Sequence, residues 1–175
     1  RNTAFAAEKQ LAAEKLIFPG VGSFGTVMER LVRDGYDQAL KERIRLDRPM
    51  LGICVALQAL YEGSEESPGV PGLGIIPGIV RRFSTPGLSV PQIGWNRLEI
   101  ARPDCPLYQG IPEGSHVYFV HSFHPRPADP AVVATWTDYG GRFASSVWRD
   151  NLFATQFHPE KSQAVGLQIL RNFVR

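Results

Sequence analysis

Apolar residues follow two different rhythms along this chain. In GVGSFGTVMERLVRDG, residues 20–35, Phe24, Val27, Met28 and Leu31 fall at i, i+3, i+4 and i+7, one stripe of an amphipathic helix, and Gly35 stands where a C-cap is wanted. A second helix is predicted over Tyr36 to Leu46. Short unbroken apolar runs alternate with these helices. LIF at 16–18 stops at Pro19-Gly20, and PMLGIC at 49–54 leads into VALQALYEG, a predicted helix stopped by Gly63. Runs this short, bounded by turn residues, read as buried strands. Their alternation with helices predicts an α/β domain built on parallel strands.

The rhythm changes past Gly63. Residues 64–78 are rich in Gly, Pro, Ser and Glu and read as loop. GIVRRF, NRLEI, VYFVHSF, AVVATWTD, ASSVWRD and NLFATQF are short β-branched or aromatic segments divided by Pro, Gly and Asp, so they predict strands, several of them antiparallel. SQAVGLQILRNFV closes the chain as a helix, with Leu167, Leu170 and Val174 at i, i+3 and i+7. The expected architecture is one domain over residues 1–175, with a mainly parallel sheet flanked by helices and an antiparallel strand addition.

Composition narrows the functional classes. A net charge of +2 comes from scattered Lys and Arg with no basic patch interleaved with aromatics, which disfavours nucleic-acid binding. No apolar run approaches the ~18 residues of a membrane span, and no signal peptide is read, so the expected setting is cytoplasmic. Cys54 and Cys105 are two cysteines and not a disulfide framework, in keeping with a reducing compartment. Cys105 lies between prolines in RPDCPLYQG and is expected to be incidental.

Three segments could carry chemistry. Gly52-Ile-Cys54-Val-Ala56 places a cysteine between small residues at a strand-to-helix junction, the pattern of an elbow that lifts a nucleophile above a sheet edge. A buried cysteine that merely packs is the competing reading. Phe157-His-Pro-Glu-Lys-Ser162 offers a base, His158, and a carboxylate, Glu160, expected to share one side of an extended segment with Pro159 between them. Pro19-Gly-Val-Gly22 ends a strand and precedes a helix, and its glycines suit an oxyanion-hole loop opposite the elbow; a plain tight turn is the alternative. It lacks the G-K-[ST] ending of a nucleotide loop. His121 and His124 are expected to face opposite sides of a strand, and no Cys or Glu cluster completes a metal site, so neither metal nor cofactor is expected. The aromatics of VYFVHSF are expected in the core.

Together, PGVGSFG, GICVALQ and FATQFHPEKS resemble the class I (triad-type) glutamine amidotransferases, a flavodoxin-like α/β family. More narrowly, LYEGSEES, VPQIGWN, YFVHSF and FHPEKSQAVGL are similar to the glutaminase subunits of imidazole glycerol phosphate synthases of histidine biosynthesis. The resemblance runs from about Pro19 to the C-terminus. It implies glutamine hydrolysis to glutamate and ammonia, with Cys54 as nucleophile, His158 as base and then acid, and Glu160 orienting His158. It implies an oxyanion hole from the backbone of Val55 and of Gly20, Val21 and Gly22. Gln58, His121 and Ser122 match substrate-contacting positions. Gln92, Gly94, Trp95, Asn96 and Lys161 match an interface with a (β/α)8-barrel cyclase, the partner in a heterodimer, which receives ammonia through a channel and forms imidazole glycerol phosphate and an aminoimidazole carboxamide ribotide.

Two departures from the family pattern stand out. The family's first strand and its D-Y-G-x-G-N-like loop are not found, so a first β-α unit is expected to be missing and a sheet edge open. Ala56 stands where the family usually has glycine, and its methyl is expected to crowd the elbow. Two other readings remain: a glutaminase serving another synthase, such as anthranilate formation, and a catalytically silent binding subunit.

Overall fold

The computed structural model describes residues 12–84 and 86–175. In chain order its strands are β1 (Leu16–Gly20), β2 (Met50–Cys54), β3 (Gly63–Ser64), β4 (Gly78–Arg82), β5 (Gln92–Arg97), β6 (Glu99–Ile100), β7 (His116–His121), β8 (Phe123–Pro127), β9 (Val133–Asp138), β10 (Arg142–Arg149) and β11 (Leu152–Thr155). The helices are α1 (Phe24–Arg33), α2 (Tyr36–Arg45), α3 (Val55–Ala59) and α4 (Gln163–Val174). The expectation about what precedes the first strand lies outside the described residues.

β2 is central. Met50 to Ile53 are all buried, and parallel ladders hold β2 on both sides, to β1 and to β11. From β11 the sheet continues through β10, β9 and β6. It is a mixed sheet: β1, β2 and β11 are parallel, and β10, β9 and β6 extend it antiparallel. The antiparallel share is larger than the sequence pattern suggested. Asp138 and Arg142 pair across a turn of three residues, and Arg149 and Leu152 across two, connections too short for a parallel crossover. Two smaller sheets, β3-β4-β8 and β5-β7, sit beside it.

Side chains of the central strands alternate between two cores. Met50, Leu152 and Ala154 point into one, with Phe24, Met28 and Leu31 of α1, Leu40 of α2 and Leu57 of α3. Leu51, Ile53 and Phe153 point into the other, with Val117 and Phe119 of β7 and Ile169 and Phe173 of α4. Among the described residues β1 is an edge strand, and an apolar groove of about 350 Å³ lined by Leu16, Phe18, Leu31 and Leu40 runs beside it.

Two predicted helices differ in detail. The helix after Cys54 ends at Ala59 instead of continuing to Gly63, because the next carbonyls are claimed by the loop that follows. Ala59 O accepts from Leu73 N at 2.8 Å, Leu60 O from Ile75 N at 2.8 Å, and Tyr61 O from Gly74 N at 3.1 Å. In the closing helix, Gly166, Ile169 and Phe173 face inward, whereas Leu167 and Val174 of the predicted stripe are exposed. Gly166 sets this rotation: a Cβ there would fall on the Pro159 carbonyl, so the bare glycine lets α4 rest against the His-Pro-Glu turn.

Gly166→Ala is therefore expected to lower stability by about 1–3 kcal/mol through overpacking. Urea unfolding measures it; an unchanged midpoint would mean that α4 can back away from Pro159 freely.

Candidate active site

β2 leaves the sheet abruptly. Cys54 takes φ 57° and ψ −115°, a left-handed backbone that L-residues rarely adopt, and α3 starts at the next residue. Small neighbours make the turn possible. A Cβ on Gly20 would strike the Val55 side chain and sit 2.6 Å from the Ala56 nitrogen, so only glycine lets the end of β1 lie against the elbow. The parallel register pairs Gly20 with Cys54 directly. A Cβ on Gly52 would lie 3.3 Å from the Ala154 methyl and 3.6 Å from that of Ala56. Ala56 is fully buried, and its methyl faces the space that Gly52 leaves open.

Burial pushes the Cys54 thiol up to about 11; the Val55 N–H on the sulfur opposes this, the Glu160 charge reinforces it, and Lys161 and the Gln156 side chain oppose it. The resting group at neutral pH is the thiol, and it needs a base. His158 follows β11 by three residues, and its Nδ1 lies 2.7 Å from Glu160 Oε1. The two do not share the side of an extended segment, as their alternation suggested. Pro159 to Lys161 form one turn of 3₁₀ helix, entered from an extended His158, and this turn brings the carboxylate back to the ring. With Nδ1–H donating to Glu160, the lone pair of the ring lies on Nε2, which is buried and has no hydrogen-bond partner among the described residues.

The turn is fastened to β7. His158 N donates to Tyr118 O at 2.9 Å, Tyr118 N donates to Ser162 Oγ at 3.0 Å, and Ser162 Oγ donates to His158 O at 2.6 Å. Ser162 is fully buried. It and Gln156, whose Nε2 lies 3.7 Å from Cys54 Sγ, escaped the reading of the sequence as site residues. Both stand within the FATQFHPEKS segment, but a lone Gln or Ser carries no spacing signal.

The remaining candidates separate into three groups. Gly20, Val21 and Gly22 lead from the end of β1 beside the elbow, with Val21 exposed and Gly22 at φ 106°. Gln58 and His121 are buried behind the cysteine: Gln58 Nε2 donates to Phe123 O and to Gln156 Oε1, both at 3.0 Å, and His121 Nδ1 lies 2.8 Å from the same Phe123 O. Ser122 is half-buried between them, and its carbonyl accepts from Phe83 N at 3.1 Å. His121 and His124 do not face opposite sides. The strand breaks at Ser122, and both rings pack against Phe83 and Phe143, with centroids 5.1 and 4.7 Å from Phe83. Cys105 is buried in the second core.

The third group lies on β5 and does not share one face. Gln92 is buried opposite His121, while Trp95 is 46% exposed and Ile93 63% exposed. Gly94 takes φ 134° between them, and Asn96 donates to Asp138 O at 2.7 Å. Lys161 joins Trp95 through Tyr118: the ammonium lies 6.0 Å from the tyrosine ring and the indole 6.1 Å from it. No group of His, Cys, Asp and Glu suited to a metal ion occurs among the described residues, and none of their helices is long and apolar enough to cross a membrane.

Comparison with known proteins places this geometry. Residues 2–175 match the family described as Glutamine amidotransferase class-I, and the chain belongs to that class. Solved structures agree on the fold: PurLQS from Thermotoga maritima aligns with a TM-score of 0.72 over 99% of this chain and 91% of that one, at 17% identity. The glutaminase domain of CTPS from Trypanosoma brucei aligns at 0.66, over 99% and 75%, with 14% identity. Within the class, the chain falls among the HisH glutaminase subunits of imidazole glycerol phosphate synthase. The HisH protein of Synechococcus sp. (strain JA-3-3Ab) is 50% identical over 93% of this chain and 76% of its own length. That of Thermococcus kodakarensis is 49% identical over 93% and 83%.

Two measurements test the local packing. Ala56→Gly is expected to lose about 1 kcal/mol of stability, from a vanished buried methyl and a glycine in a helix, with no gain in glutaminase rate. A faster variant would mean that the Ala56 methyl crowds the elbow. Burial pushes His121 down to about 3, so its ring is neutral in the fold and takes up a proton more readily when unfolded. The stability this carries is complete above about pH 6.5 and is lost as the pH falls towards 3. Burial lowers His124 as well, with the same sign. Urea unfolding at a series of pH values is expected to show a shallower acid slope for His121→Gln than for the parent; equal slopes would contradict it.

Proposed function

We propose that Cys54, His158 and Glu160 perform the glutamine hydrolysis of this glutaminase family. The observation that carries the assignment is the buried, unpartnered His158 Nε2: its other ring nitrogen is held by Glu160, and Gln156, two residues earlier in the chain, reaches the elbow sulfur. A ring fixed in that tautomer is a ready proton acceptor. His158 takes the proton of Cys54 as Sγ bonds to the side-chain carbonyl carbon of glutamine. The carbonyl oxygen becomes an oxyanion, met by the Val55 N–H and the backbone of Gly20 to Gly22. Collapse of the intermediate breaks the C–N bond, His158 returns the proton to the leaving nitrogen, and ammonia departs. Water, deprotonated by the same ring, hydrolyses the thioester to glutamate and frees the thiol.

The ammonia passes, on this reading, to a cyclase partner with a (β/α)8 barrel, which uses it to make imidazole glycerol phosphate and an aminoimidazole carboxamide ribotide in the cytoplasm. The relatives' designation as synthase subunits supports this heterodimer. The exposed Ile93 and Trp95 on β5, with Lys161 and Tyr118 beside them, support a docking face there. Gln58, His121 and Ser122 would line the glutamine side of the site, and a channel would carry ammonia across the interface.

Glutamine hydrolysis with and without the cyclase tests the reading. Ammonia release is expected to rise with the cyclase present, and Cys54→Ala is expected to reduce it by about 10³-fold or more. Equal slow release by parent and variant in both conditions would remove Cys54 from the reaction.

A further inference from the structure

Behind Cys54 the interior holds a connected set of polar groups, side chains joined through the Phe123 carbonyl. Gln156 is fully buried, as is Ser145, whose carbonyl accepts from Gln156 N at 2.8 Å. A buried primary amide is costly unless its groups are satisfied, and a methionine of similar volume would fill the space without that demand. The bonds around this amide fix which end faces the sulfur. The Phe123 carbonyl can only accept, so the Gln58 amide turns its NH2 towards it, 3.0 Å away. The same NH2 group meets Gln156 3.0 Å away, and that contact must therefore be Gln156 Oε1. What remains is the Gln156 NH2, and it points at Cys54 Sγ from 3.7 Å. The anchoring carbonyl is braced from its other side by His121 Nδ1–H at 2.8 Å. The other nitrogen of that ring, Nε2, lies 2.8 Å from Gln92 Oε1 on β5.

We propose that Gln156 is a catalytic hydrogen-bond donor to the Cys54 sulfur, with Gln58, His121 and Gln92 as the positioning residues that hold its amide in that sense. The proposal rests on Cys54 being the nucleophile. A neutral amide N–H bonds more strongly to a thiolate than to a thiol, so it favours the attacking form without competing for the proton. An amide is no base at neutral pH, which leaves proton transfer to His158. The second N–H donor on the sulfur is that of Val55, so the thiolate is met from the helix side by the backbone and from the β11 side by a side chain.

The test is the pH dependence of Cys54 alkylation by iodoacetamide in the full chain, without glutamine, read by mass spectrometry of the peptide carrying Cys54. Gln156→Met removes the donor at nearly constant volume, and near-ultraviolet circular dichroism checks the fold. Its alkylation midpoint is expected to lie about one pH unit above that of the parent. Gln156→Glu keeps an acceptor for Gln58 and sets a carboxylate against the sulfur, and its midpoint is expected to move further up. Should Gln156→Met fail to fold, Gln156→Leu, which also removes the donor, takes its place in the same assay with the same expected shift. A folded variant with the parent's midpoint overturns the proposal. Ammonia release by Cys54→Ala is a separate measurement: activity surviving there would sink the nucleophile assignment and leave the alkylation result standing on its own.

Discussion

A cysteine held at φ 57° at the end of a buried strand is the constraint around which the molecule is organised. Such a backbone costs of order 1–3 kcal/mol and persists only where its surroundings over-determine it. Here they do. β2 is locked on both sides by parallel ladders up to the residues beside the elbow, Gly20 and Thr155. Every neighbour that must come close is small: Gly20, Gly52, Ala56 and Ala154. The strain aims the sulfur out of the strand, starts α3 at its back, and leaves the loop after β1 at its side. The same parallel arrangement makes the segment after β11 leave the sheet beside the elbow, which is why Gln156 reaches the sulfur across about a hundred residues of chain.

The elbow was legible because its signal is local: a short apolar run, a cysteine between small residues, then helical spacing. The His158–Glu160 pair was legible for a reason that does not hold. Alternation along a strand suggested it, but a 3₁₀ turn makes it, and that turn depends on Ser162 and Gly166 packing against it from elsewhere. Tertiary contacts account for the other differences. α3 is short because residues 73–76 take its carbonyls, and the closing helix is rotated because a glycine, with no hydrophobic weight in any pattern, sets its closest approach. His121 and His124 were assigned to opposite faces because the break at Ser122 is invisible to a period of two. Gln156 was missed because its role is defined wholly by partners distant in sequence.

β5 joins two unlike environments. Its odd positions, Ile93 and Trp95, present apolar surface to solvent, while Gln92 is sealed against His121. The pairing of β5 with β7 therefore sets an exposed, apolar outer surface back to back with the polar groups that lead, through Phe123 and Gln58, to the nucleophile. Lys161 stands at the junction: it lies over Tyr118 on the outer side, and its charge is felt at the Cys54 sulfur. The turn that holds the base is thus also part of the surface that Trp95 occupies.

The burial of Cys54 also has a bearing on how long the protein stays serviceable. Oxidants such as peroxide attack thiolates, and they attack those they can reach. A thiol that burial raises to about 11 is present at neutral pH mostly in its less reactive, protonated form. Most exposed low-pKa cysteines trade reactivity for vulnerability to sulfenic acid formation. Here the desolvation that raises the thiol, and so slows that oxidation, is the same desolvation that makes its own reaction depend on His158.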